Sequence, residues 1–322
     1  MQDGRLQIDF VCVALRLCPG RWLMFSYGIF LLLLPSMVVL QAGDGSEFQQ
    51  ALERYSQVND LHSLEQAVSD SEEEAVPFIV ESIRNDLPTV DAAIRACSFV
   101  EIGGNRLGLT LVDLLDEGAI SVQVNACRAI GALGARGKIW AKEVSSRLER
   151  RWMTVVALDT LGKLGDSESL PVIVERLEAS SAKVRFAAIR SLNQFGEAGA
   201  VYVDRVLDSL KVADENLRGD RFHLATKEDF EFRIWCLRAV GGFGAKARKG
   251  SDLLVKYLKR APDGSVHDLE FKSELVRCLG KVGGQPTEKV LRAIYSDARF
   301  YPEQLGPIIE EVLQEVRSPG YY

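Results

Sequence analysis

The chain has 322 residues, 47% of them hydrophobic and 26% charged, with a formal net charge of −6. That is enough apolar side chain for a large core, and an acidic balance that disfavours phosphate-backbone binding as the main activity, because such binding needs a basic footprint. With only 10 prolines and none of the four- to eight-residue β-branched runs of a sheet protein, the pattern favours an all-α one.

The first feature along the chain is an uncharged stretch of 22 residues between Arg21 and Asp44, WLMFSYGIFLLLLPSMVVLQAG. About 20 apolar residues span a bilayer as a helix. The same stretch reads as a secretory signal, with Arg16 and Arg21 before it, Ile29–Leu34 as its apolar centre and Leu40-Gln41-Ala42 as a cleavage site. Residues 1–42 are expected to be a signal peptide or membrane anchor, with a buried helix as the third reading; Met24 is an alternative start. Arginines before the segment and Asp44 and Glu47 after it place the body, 43–322, outside the cytoplasm. Residues 49–68 then read as one or two helices.

From residue 98 onward the chain repeats. SFVEIG ends at Gly103, VNACRAIGALG at Gly134, VVALDTLGKLG at Gly165 and RFAAIRSLNQFG at Gly196. These glycines are 31 residues apart. Two later copies, IWCLRAVGGFG and ELVRCLGKVG, end at Gly244 and Gly283 after intervals of 48 and 39, which implies insertions over about 211–230 and 261–269. A period of this size means a solenoid. Counted back from each glycine, position −1 holds Ile102, Leu133, Leu164, Phe195, Phe243 and Val282. Position −4 holds Phe99, Ile130, Leu161, Leu192, Val240 and Leu279; position −8 holds Ala126, Ala157, Ala188, Cys236 and Leu275. This spacing gives one buried helical stripe, and the glycine supplies a left-handed residue that ends the helix. A second helix follows each glycine, as in LPVIVERL (170–177), YVDRVLDSL (202–210) and DLLVKYLKR (252–260). Each unit is thus a hairpin whose second apolar face is buried by the next hairpin. PEQLGPIIEEVLQEV (302–316) closes the array.

VRFAAIRSLNQFGEAGA and VVALDTLGKLGDSESLPVIVERL resemble short HEAT-like repeats, of the type also found in phycobilin lyase subunits. The likeness covers about Ser71 to Ala298. It implies a right-handed α-solenoid of six to eight hairpins and is nearly silent on activity, since the architecture hosts scaffolds, lyase subunits, hydroxylases and glycosylases. The first unit departs from the pattern, with Arg95 and Ala96 where the others have alanine and an aliphatic residue, and reads as a cap.

No residue set points to catalysis, a cofactor or a metal. The histidines His62, His223 and His267 are followed by Ser63, Leu224 and Asp268, so the paired His-Glu motifs of HEAT-repeat hydroxylases are absent. His223 with Asp220 or Asp229 is a weak metal candidate, outweighed by a solvated loop histidine. Cys97, Cys127, Cys236 and Cys278 fall on the glycine-ended helices and read as small buried hydrophobes, with a Cys97–Cys127 bridge as the alternative in an oxidising compartment. Two rows remain as candidate surfaces. Trp140, Pro171 and Tyr202 share position +6 on the second helices; they are read as core-flanking or, if half exposed, as partner anchors on a concave second-helix face. Position −6 carries Arg128, Asp159, Arg190, Arg238 and Arg277, expected to bond between repeats or, as the alternative surface, to bind a partner along one edge. The expected function is a non-enzymatic, extracytoplasmic scaffold for a protein or peptide, touching membrane only through its N-terminal segment. A bilin-lyase-like enzyme subunit and a nucleic-acid-binding HEAT-like protein are the rivals.

Overall fold

Gly134, Gly165, Gly196, Gly244 and Gly283 all have positive φ, between 51° and 73°, in the computed structural model. The repeat glycine is therefore the left-handed residue that turns the chain out of one helix and into the next segment. The structure describes residues 15–16, 22–23 and 45–317, except 71, 102–103, 219–225, 261–265, 284 and 298–301. The expected export segment falls outside these residues apart from Trp22 and Leu23, which pair with Arg16 and Leu15 in a two-residue antiparallel ladder, β1 (Leu15–Arg16) and β2 (Trp22–Leu23). Among the described residues no helix is long and apolar enough to cross a membrane.

Among the described residues everything else of regular structure is helical. The array opens with α1 (Gly45–Val58), α2 (Leu61–Asp70) and α3 (Glu72–Arg84). The hairpins follow: α4 (Val90–Ala96) with α5 (Gly104–Leu114), then α6 (Ile120–Ala132) with a 3-10 turn 134–140 and α7 (Ala141–Ser145). Next come α8 (Thr154–Leu164) with α9 (Leu170–Glu175), and α10 (Ala182–Asn193) with α11 (Val203–Arg218). The last are α12 (Lys227–Gly242) with α13 (Ser251–Leu258), α14 (Val266–Val282) with α15 (Gln285–Tyr295), and the closing α16 (Pro302–Arg317). Of the insertions, residues 211–218, 227–230 and 266–269 are helical, and α12 and α14 have 16 and 17 residues where α8 and α10 have 11 and 12. Thr226 and Asp229 start α12 with a reciprocal capping box.

The expected stripe is the core. Leu133, Leu164, Phe243 and Val282 at −1 are buried, as are Ile130, Leu161, Leu192, Val240 and Leu279 at −4 and Ala126, Ala157, Ala188, Cys236 and Leu275 at −8. Small residues let successive glycine-ended helices touch backbone to backbone. A Cβ added at Gly162 would lie 2.9 Å from Ser191 Cα, and one at Gly131 3.4 Å from Thr160 Cα; no larger side chain fits such a crossing without displacement. The even-numbered helices α4 to α16 accordingly form one continuous layer in which each member packs on its equivalents before and after. The second segments pack on their own hairpins but meet one another far more sparsely. A double layer that is tight on one side and open on the other curves toward the tight side, so the glycine-ended helices line the inner surface.

Candidate inner-surface groove

This layering corrects the expected placement of the +6 row. Trp140, Pro171 and Tyr202 lie on the second segments, which form the outer layer. Trp140 is only 5% exposed, and its indole fills the space over Gly108 of α5, where an added Cβ would stand 2.1 Å from Cη2. It is a packing wedge between neighbouring outer segments and cannot anchor a partner. Tyr202 is half-buried against the core and Pro171 is exposed. The three share a repeat position without sharing an environment.

The −6 row lies on the inner layer. Arg128 pairs with Asp91 at 2.9 Å, and Arg190 pairs with Asp159 one repeat earlier. Glu274 stands between Arg238 at 3.5 Å and Arg277 at 3.8 Å. Arg128, Arg190 and Arg238 thus bond between repeats, while Arg277 reaches an acid on its own helix. This pairing does not consume them, because their side chains stay between 39% and 47% exposed. Two of them also lie over aromatic faces: Arg190 is 5.6 Å from the Phe186 ring centre and Arg238 5.0 Å from that of Trp235. Phe186 and Trp235 meet edge to face at 6.2 Å.

Around these rings the inner surface is hollowed. A depression of about 260 Å³ is lined by Val155, Lys183, Phe186, Arg190, Lys227 and Glu231. A second, of about 640 Å³, is lined by Lys227, Phe230, Glu231, Trp235, Arg238 and His267. They share Lys227 and Glu231, so they form one groove across α8, α10, α12 and α14. His267 stacks on Phe230 at 4.2 Å, adding to its apolar floor. Sequence reasoning missed Phe186, Phe230 and Trp235. The available signal was helical spacing: Glu231, Trp235 and Arg238 are four and three residues apart and share one face.

A third hollow, about 530 Å³, opens between α11 and α12 beside Leu177, Asp208 and Val212. Its arginine, Arg185, is committed to Asp229 at 2.5 Å and to the carbonyls of Ala179 and Ser180 at 2.9 and 3.0 Å, which makes this a braced junction. Desolvation acts on the Asp229 carboxyl against hydrogen bonds from the Thr226 amide and hydroxyl and the Arg185 charge; the latter win and hold it below the usual carboxylate range.

The four cysteines among the described residues are free, buried thiols, so the Cys97–Cys127 bridge does not form. Cys97 Sγ donates to the Ala93 carbonyl at 3.3 Å and Cys127 Sγ to Thr160 Oγ1 at 3.5 Å. Burial pushes both thiols up to about 12, too high for reactive thiolates. His223 and Asp220 lie outside the described residues, and among the described residues no group of three or more His, Cys, Asp or Glu side chains could hold a metal.

A curved, helical-repeat solenoid with a groove on its inner layer is the class of protein these observations define. Residues 142–220 match the family model described as HEAT repeats; the narrower likeness to phycobilin lyase subunits rests on the sequence resemblance alone. No curated protein matches the chain. Similar solved structures include an engineered protein (16% identity, 84% of this chain and 96% of that chain, TM-score 0.34). Human deoxyhypusine hydroxylase in complex with glycerol is another (16%, 88% and 98%, 0.31), as is a designed armadillo repeat protein in complex with the peptide (KR)4 (16%, 84% and 100%, 0.33). At these values they carry nothing about what this chain binds or does.

Proposed function

We propose that the protein is a non-enzymatic interaction scaffold that works outside the cytoplasm and holds a segment of a protein partner on its inner surface. The observation that supports this most is the groove itself. It is built from one helix position after another, carries the half-exposed aromatics Phe186, Phe230 and Trp235, and is flanked by arginines whose donors are only partly used. Aromatic anchors with polar rims are what protein interfaces concentrate their energy in. The location outside the cytoplasm rests on the uncharged stretch before Asp44 and the arginines that precede it.

The test pairs two double variants in cross-linking and affinity capture from an envelope fraction. Phe186→Ala with Trp235→Ala should reduce recovery of the partner at least tenfold. Ile139→Ala with Val201→Ala, at outer-layer positions 65% and 75% exposed, should leave it unchanged. The reverse pattern would move the site to the outer layer. Recovery of the intact protein from the soluble cytosol would refute the location.

A further inference from the structure

We infer that the segment held on the inner surface is an extended, acidic polypeptide laid across the repeats with about three residues to each. This deepens the scaffold reading and rests on it. Charge carries the argument. The chain as a whole is −6, yet positions −6 and −2 of the inner helices present Arg128, Lys163, Arg190, Arg238, Arg277 and Lys281. The acids that reach this band, Asp91, Asp159 and Glu274, are each already engaged by one of its arginines. Lys163 and Lys281, both exposed, have no ion pair among the described residues, and neither does Lys183 at the margin of the groove. An acidic body with a cationic inner band is complementary to carboxylates. Glu228, Glu231 and Glu270 lie toward the helix N-termini, at the opposite margin, and would orient the segment by repelling it from that side.

The arginines are suited to the task. Stacking on Phe186 and Trp235 restrains the guanidinium planes, so less freedom is lost when their N–H groups take a second carboxylate. The spacing sets the register. Packed helices lie about 8–10 Å apart, and an extended chain advances about 3.3 Å per residue, so a fixed repeat position recurs about every third residue of such a ligand. A helical ligand rises only about 1.5 Å per residue and would have to place its acids about six residues apart. Nucleic acid is the competing polyanion, disfavoured by the carboxylates interleaved along the band and by the net charge.

The test uses the full chain in mild detergent and fluorescence anisotropy with labelled 13-residue probes. These are a peptide with aspartate at every third position, the same composition with its aspartates clustered at one end, a lysine-for-aspartate version, and a thymidine 13-mer. The spaced acidic peptide should bind at least tenfold tighter than each of the others and weaken as salt rises. Arg238→Glu with Lys281→Glu should cost about tenfold or more and improve binding of the lysine peptide. Lys211→Glu with Lys256→Glu, exposed on the outer layer, should change affinity less than twofold, with circular dichroism confirming the fold of each variant. Tighter binding of the lysine peptide or of the oligonucleotide would overturn the inference, as would binding of no probe; equal binding of spaced and clustered peptides would overturn the register. If the lysine peptide wins and Trp235→Ala weakens it, the inner-surface scaffold stands and only its acidic ligand falls. If inner-layer substitutions alter neither probe binding nor partner capture, the scaffold reading itself is wrong.

Discussion

The regular repeats, from α6 to α10, and the expanded ones, from α11 to α14, solve the same packing problem with different chemistry. Between α6 and α10 the buried polar side chains, Asn125, Thr154, Thr160, Ser169 and Ser191, are all uncharged, and small residues stand at the crossings. In the expanded part the interior holds ions. Asp214, 2% exposed, accepts from Arg233 at 3.1 Å and from Arg260, and Arg233 lies 4.0 Å from the Phe271 ring centre. Buried Lys272 donates to the carbonyls of Leu258, at 3.2 Å, and Arg260, where α13 ends. Longer helices enclose helix ends and loop carbonyls that shorter hairpins leave to water, and those groups need buried partners. A period can thus be stretched without losing the array, provided the added segment brings its own polar satisfaction.

The largest expected effect tests that contrast. Asp214→Ala leaves buried Arg233 without this carboxylate and should lower stability by about 3–5 kcal/mol in urea unfolding; a loss of under 1 kcal/mol would mean that the ion cluster is incidental. Leu192→Ala, in the regular part, removes a fully buried side chain and should cost about 2–5 kcal/mol through lost burial and a cavity. A smaller effect is expected at the seam between the two parts. Asp229→Asn weakens the capping box and the Arg185 pair, at about 1 kcal/mol near neutral pH. Its folded-state pKa lies below the ordinary 3.8, so its contribution is fully present above that value and is lost as pH falls through the folded one. The gap between wild type and Asp229→Asn should therefore close as the medium is made more acid than about pH 3.8. Glu175→Ala, exposed on α9, sets the floor and should stay within about 0.5 kcal/mol.

Much of this could be read from the residues alone. The glycine period gave the hairpin units, and positions −1, −4 and −8 named the buried stripe, apart from the half-buried Phe99 and Phe195 and from Ile102, which lies outside the described residues. Which layer lies inside was not readable from the stripe. Curvature depends on how closely equivalent helices approach, and that is decided by crossings such as Gly162 on Ser191, which involve residues a full repeat apart. Trp140 illustrates the same gap: its burial follows from the absence of a side chain at Gly108, two helices earlier. The insertions were legible only as added length, because the repeat interval gives their size and not the extension of α12 and α14 through residues 227–230 and 266–269.

Asp159 has a consequence for how such an array is lengthened or shortened. Units 135–165 and 166–196 are each 31 residues and close on the same kind of glycine, so each is a module that duplication or excision could add or remove in register. They are not interchangeable, because Asp159 is the single acid in a row otherwise made of arginines. Excising 166–196 sets Asp159 beside Arg238 and keeps opposite charges adjacent. Excising 135–165 sets Arg128 beside Arg190 and puts two guanidinium groups across one inter-helix seam. The module carrying Asp159 acts as an electrostatic spacer, and a shortened descendant of this chain would be expected to retain it and discard its neighbour.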